Sequence, residues 1–192
     1  FDVAGDDGVG VKPAAIARFE RQRGDVAALG GAFDIVADLT RTFARIAHAL
    51  AARFDVTVAA PDRDWSGAGT GIGRFEPSAG VPVRPVDIGL ANAFAIDGPP
   101  GLAVMAAALG AFGPPFDVVV SGINAGVNTG QSVIHSGTVG AALTARTMGS
   151  HGVAVSAVPG DPWRWDTAAT LAVAAVDWIV RACPASTAIN LN

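Results

Sequence analysis

Residues 116–130 read F-D-V-V-V-S-G-I-N-A-G-V-N-T-G, an apolar run that breaks into a loop of glycine interleaved with asparagine and hydroxyl side chains. A near-continuous valine run has no polar face, which is what a parallel strand covered by helices on both sides requires. The pattern recurs in D-V-T-V-A-A (55–60) and G-V-A-V-S-A (152–157), and the shorter F-D-V-A (1–4) and T-A-I-N-L (187–191) complete the predicted strands.

Helical patterns lie between these runs. In 33–50, Ile35, Val36, Leu39, Phe43, Ile46, Ala47 and Leu50 recur every three and four residues, giving one apolar face. Residues 100–111 and 138–148 are Ala-rich helical segments, and 165–182 carries Leu171, Val173, Val176, Ile179 and Val180 at helical spacing. Strands alternating with helices imply βαβ units. The predicted fold is therefore α/β: a three-layer α/β/α sandwich with a mostly parallel, Rossmann-like sheet, in one domain over 1–192. Two alternating stretches, P-V-R-P-V-D-I (82–88) and A-F-A-I-D (93–97), predict a hairpin or an extra edge. Residues 9–32, a short basic helix followed by a glycine-rich joint, are expected to form a long connection, with Arg18, Arg21 and Arg23 on a solvated face.

Composition narrows the function. Hydrophobic residues make up 51% of the 192 residues and charged residues 16%, so the chain should be compact. The net charge of −4, with no dense Lys/Arg stripe, argues against binding a nucleic-acid backbone. Small anionic substrates stay open, because a bound cation reverses the local sign of a site. No apolar run approaches the ~20 residues that span a bilayer and no leader is visible, so no membrane partner is expected and the cytoplasm is the expected location. Cys183 is the single cysteine, expected to be a buried structural thiol. The absence of an initiator Met and the ending on a strand lead us to expect flanking residues outside this sequence.

In open parallel sheets, ligands bind outside the carboxyl ends of the strands. The loops expected there are G-D-D-G (5–8), P-D-R-D-W-S-G (61–67), S-G-I-N-A-G-V-N-T-G (121–130) and P-G-D-P-W (159–163). The adjacent Asp6 and Asp7 repel each other, and a hard cation at a strand tip would relieve that repulsion. Next, H-S-G-T-V-G-A-A-L-T-A-R (135–146) leads Ser136, Gly137 and Thr138 straight into an Ala-rich helix, where backbone N–H groups and hydroxyls suit an anion. The same three residues also make an ordinary helix cap. His135 is the one histidine placed to touch a ligand; His48 belongs to a helix and His151 to a turn. Trp163, Trp165 and Trp178 are expected in packing roles, and Trp65 is placed to reach a substrate. The glycines of G-A-G-T-G-I-G (67–73) neither follow a strand directly nor open a helix, so a dinucleotide loop is poorly supported.

Four of these stretches, in order, resemble the survival protein SurE family of metal-dependent phosphatases, the 5′- and 3′-nucleotidases. The family's Asp-Asp-Gly after the first strand appears as G-D-D-G, its P-D-R-x-x-S-G loop as P-D-R-D-W-S-G, and its S-G-I-N-x-G-x-N loop as S-G-I-N-A-G-V-N. Its S-G-T-V-G-A-A helix start is unchanged at 136–142, and I-N-L-N (189–192) looks like its late strand. The resemblance implies that Asp6, Asp7, Ser66 and Asn124 ligate one divalent cation per subunit, Mg²⁺ or Mn²⁺, an all-oxygen set unlike a His/Cys zinc site. It implies that Asn128, Ser136, Gly137 and Thr138 hold the phosphate and that Asp7 is catalytic, orienting the attacking water. Its substrates would be nucleoside monophosphates, and its usual assembly is a homodimer or homotetramer built through C-terminal segments.

The chain also departs from the family pattern. Gly5 stands where the family usually has Asn, the 9–32 segment is longer than the usual continuation, and G-P-P-G-L-A (98–103) replaces G-T-P-A-D-C. A diverged metal- and phosphate-binding protein with weak chemistry, using 9–32 as an interaction arm, is the alternative. A nucleotide-cofactor oxidoreductase or sugar transferase rests on fold analogy alone.

Overall fold

The computed structural model describes residues 25–29, 37–74 and 80–192. In chain order the elements are β1 (Asp25–Leu29), α1 (Ala37–Ala51), β2 (Asp55–Pro61), β3 (Val83–Pro85), β4 (Ala93–Ile96), α2 (Pro100–Ala108) and β5 (Val118–Ala125). A 3₁₀ turn (Gly130–His135) then leads to α3 (Gly137–Thr147), β6 (His151–Ala157), α4 (Trp165–Ala182) and β7 (Ala188–Leu191).

The seven strands form one sheet in the order β3-β4-β2-β1-β5-β6-β7. All neighbours are parallel except β3 and β4, which pair antiparallel at one edge. The stretches at 82–88 and 93–97 thus do supply the extra edge. Alternation along β5 explains its valines: Val118 and Val120 pack with Ile46, Leu50, Val176 and Ile179 of α1 and α4, while Val119 packs with Val104, Phe112, Ala141 and Ala145 on the α2/α3 side. The three valines lie where both faces of the strand are covered, and the polar Ser121 that follows them is buried as well. The result is the three-layer α/β/α sandwich.

Small residues let the layers close. A Cβ on Gly152 of β6 would lie 2.1 Å from the carbonyl oxygen of Ala142, so α3 sits directly on the strand. Ion pairs at 2.6 Å join α1 and the turn after it to α4 on the other face, Arg45 to Asp166 and Arg53 to Asp177. Among the described residues no helix is long and apolar enough to cross a membrane.

Several expectations need correction. The strand between β2 and β5 is Asp25–Leu29, which lies in the 9–32 segment predicted as a connection. D-V-A-A-L has one β-branched residue and no clear period, so only its neighbours in the sheet select it as a strand. Residues 1–4 and Arg18, Arg21 and Arg23 lie outside the described residues. Helix α2 ends at Ala108 rather than 111, because Gly110 takes a left-handed φ of +89°. His151 opens β6 instead of sitting in a turn; its N–H donates to the Asp117 carbonyl at 2.8 Å, and its Nδ1 accepts from Thr187 N–H at 3.2 Å. Cys183 is partly exposed, at the rim of the α1/α4 core. Trp178 is 53% exposed on α4, whereas Trp163 and Trp165 stack at 4.7 Å against the core as expected.

Candidate functional site

In this strand order the chain leaves β1 toward β2 on one side and returns to β5 on the other. The crevice beyond the carboxyl ends of β1 and β5 is therefore the topological switch point, where doubly wound sheets bind ligands. The segment after β1, residues 30–36, lies outside the described residues. The loops after β2 and β5 are described, and they meet at the start of α3.

A change of register brings Asn124 there. Ser121 pairs with Ala154 of β6, but the next pairing joins Asn124 to Ser156, so β5 holds one residue more than its partner. Before this bulge the even-numbered residues of β5 face α1 and α4; after it Ile123 packs on that face. A one-residue slip exchanges the faces of a strand. Asn124 is thereby turned toward the α2/α3 layer, where its Oδ1 lies 3.4 Å from the Thr138 hydroxyl. Gly122 makes the bulge possible: its φ is +129°, and a Cβ there would lie 2.2 Å from the Val155 carbonyl oxygen. The Asn124 amide nitrogen donates to Gly126 O at 2.7 Å, which fixes the orientation of the carboxamide and leaves Oδ1 as the outward acceptor.

The loop after β2 is held against the same helix start. Gly69 N–H donates to His135 O at 3.1 Å, and a Cβ on Gly137 would lie 3.6 Å from the Trp65 carbonyl oxygen. Within the loop, Asp64 Oδ1 accepts from both Ser66 N–H, at 2.8 Å, and Ser66 Oγ, at 2.6 Å. Arg63 donates to Asp97 at 2.6 Å and to Asp62 at 3.3 Å, and its guanidinium sits 4.6 Å from the centre of the Trp65 ring. Among the described residues, Trp65 Nε1 is the buried side-chain polar atom without a hydrogen-bond partner. It is a donor, so it suits the oxygen of an anion or water rather than a cation.

Ser136 is the N-cap of α3, its Oγ accepting from Val139 N–H at 3.2 Å. The first turn of any helix leaves N–H groups without internal partners, and its dipole favours negative charge. Gly137 and Thr138 occupy that turn, facing the loop after β2 and Asn124 respectively. Asn124, Ser136, Gly137 and Thr138 thus gather at one helix start, and the backbone of the loop that carries Ser66 adjoins it.

Asn128 is set back from this group, with 7% of its surface exposed. Its side-chain nitrogen donates to Ser156 Oγ at 2.9 Å, its N–H to Asn192 Oδ1 at 2.7 Å, and its carbonyl accepts from Asn190 at 2.9 Å. In this arrangement Asn128 pins the loop. His135 is exposed, and its carbonyl holds Gly69. Asp6 and Asp7 lie outside the described residues. Sequence reasoning missed Asp64, Asp97, Asn190 and Asn192. An Asp two residues before a Ser is a recognisable Asx-turn signal, whereas nothing local announces the Arg63–Asp97 pair.

Among the described residues no group of three or more His, Cys, Asp or Glu could hold a metal. The described members of the implied ligand set are neutral oxygens: Asn124 Oδ1, and Ser66 Oγ with its proton directed to Asp64. These fit a hard, oxygen-bound cation and not a zinc centre of the His/Cys type. Two open depressions of about 420 and 570 Å³ lie instead between α1 and α4, away from the strand tips.

A family model described as "Survival protein SurE" matches residues 36–192. The chain is 36% identical over 148 residues to a "5′-nucleotidase SurE" of Legionella pneumophila (strain Lens), an alignment covering 77% of this chain and 56% of that protein. It is 37% identical over 150 residues to the protein of the same name from Halorhodospira halophila, covering 77% and 57%. The crystal structure of the SurE protein from Aquifex aeolicus superposes with a TM-score of 0.69 at 26% identity, over 87% of this chain and 65% of that one. The chain therefore spans little more than half the length of the curated relatives it matches. Asp6 and Asp7 precede the matched residues.

Proposed function

The chain belongs to the SurE family, and on that premise we propose that it is a divalent-metal-dependent phosphomonoesterase that hydrolyses nucleoside 5′- or 3′-monophosphates to nucleoside and phosphate. One observation carries the reading: the loop after β2, through the Trp65 carbonyl and Gly69, and Asn124 near the end of β5 meet at the start of α3, which supports a cation-binding group beside a phosphate-binding one. The names of the relatives support a nucleotide substrate.

Asp6, Asp7, Ser66 and Asn124 would hold one Mg²⁺ or Mn²⁺. When bound, such a cation neutralises phosphoryl oxygens and makes a water more acidic. The remaining work falls to the chain. Gly137 and Thr138 N–H groups and the Thr138 hydroxyl bind phosphate oxygens, and the dipole of α3 stabilises the charge that develops on them. Asp7 orients the water whose oxygen attacks phosphorus; the ester P–O bond breaks, and the ribose hydroxyl leaves with a proton. Asn128 keeps the loop in register. The reading extends to a homodimer or homotetramer in the cytoplasm.

A second reading, a metal- and phosphate-binding protein with weak turnover, is favoured by one feature: G-D-D-G precedes the described central strand instead of following it. The first acid after that strand in the sequence is Asp34. Phosphate release from an aryl phosphate and a panel of nucleoside monophosphates, with Mg²⁺, Mn²⁺ or chelator, separates the readings. Metal-dependent release that is lost in Asp6→Ala/Asp7→Ala and kept in Asp34→Ala supports the phosphatase and its acids. Release lost only in Asp34→Ala reassigns the acids, and Mn²⁺ binding without release favours the second reading.

A further inference from the structure

We propose that Asp64 is a positioning residue for the cation site: it takes the hydroxyl proton of Ser66 and so turns the lone pairs of Ser66 Oγ toward the metal. The inference rests on the metal reading above. A serine hydroxyl has one proton and two lone pairs and rotates freely unless a partner fixes the proton. Here one carboxylate oxygen accepts both from Ser66 N–H, at 2.8 Å, and from Ser66 Oγ, at 2.6 Å. The second is in the range of a charge-assisted O–H···O⁻ bond. The two contacts fix the serine at its backbone and at its side chain.

The neighbouring cation does not compete. Arg63 is engaged by Asp97 and Asp62 and by the Trp65 ring, so the charge of Asp64 is directed at Ser66. A carboxylate behind a metal-ligating group both orients it and strengthens it as a donor. Asp64 also occupies a position that P-D-R-x-x-S-G leaves open, so the family resemblance assigns it nothing.

The test is Mn²⁺ affinity, read on the full chain from the electron paramagnetic resonance signal of the free ion, in a double-mutant cycle with Ser66→Ala. Asp64→Ala is expected to weaken Mn²⁺ binding about tenfold, the lower end of the effect of removing such a partner. Asp64→Asn, which keeps an acceptor but loses the charge, should weaken it less, and it stands in if the Ala variant does not fold. In a Ser66→Ala background the Asp64 substitution should add nothing, because its route to the metal is gone. Unchanged affinity in Asp64→Ala, or an equal loss in both backgrounds, overturns the proposal while leaving the metal site intact. A folded wild-type chain that binds no Mn²⁺ overturns the proposed function, and this inference with it.

Discussion

At Gly140 the spacing between α3 and the loop after β2 is set by a missing side chain. A Cβ there would stand 1.9 Å from the carbonyl oxygen of Gly69 and 2.3 Å from its carbon, both backbone atoms. Gly149, with a φ of +94° and nothing within 4 Å of a built Cβ, has only conformational strain to lose by substitution. Urea unfolding should therefore place Gly149→Ala at about 1 kcal/mol of destabilisation, and Gly140→Ala beyond it, at about 1–3 kcal/mol or more for forced overpacking. Equal midpoints would mean that the loop yields freely. At this scale the S-G-T helix start was legible from the residues themselves, as a cap with a local mechanism, whereas Ser66 and Asn124 were singled out through the family resemblance. The contacts of Asn128 were not legible: its three partners are Ser156, Asn190 and Asn192, which only the folded sheet brings near.

Among the elements, those buried on both faces were the plainest to read, since β2, β5 and β6 show as largely apolar runs, each with a single buried polar residue, Thr57, Ser121 and Ser156. Strand β1 was hidden for the opposite reason: its alanines suit helix and strand alike, and its place depends on β2 and β5. The bulge in β5 was hidden too, since Gly122 looks like any loop glycine until β6 is laid beside it. Packing rather than charge should dominate the stability of these elements. Phe112 is fully buried and stacks on Phe94 at 6.0 Å, so Phe112→Ala should cost about 3–5 kcal/mol. The Arg45–Asp166 pair is short but its side chains are 49% and 83% exposed, so Arg45→Ala should cost no more than about 1 kcal/mol. Thermal unfolding of the two variants gives the comparison, and a larger loss from Arg45→Ala would contradict the layered core described above.

For the whole molecule, alternation of strands and helices announced three layers, but strand order is a matter of which edges meet, and no local pattern encodes it. The order matters because it opens the switch point beside β5. If the site binds Mn²⁺ only when folded, adding the ion at a hundred times its dissociation constant should stabilise the protein by about 2.7 kcal/mol, and chelation should remove that gain. Calorimetric scans with and without chelator test this, and a melting temperature indifferent to the ion would speak against a site in the folded state. The two bonds from Asn190 and Asn192 to Asn128 have a consequence for biosynthesis. A nascent chain that has emerged only as far as α4 already carries every strand that flanks the crevice, yet the loop at 128 still lacks both of its clamps. Order at that loop arrives with β7, so a product truncated before residue 190 would keep most of its core and leave the ribosome with its site unfinished.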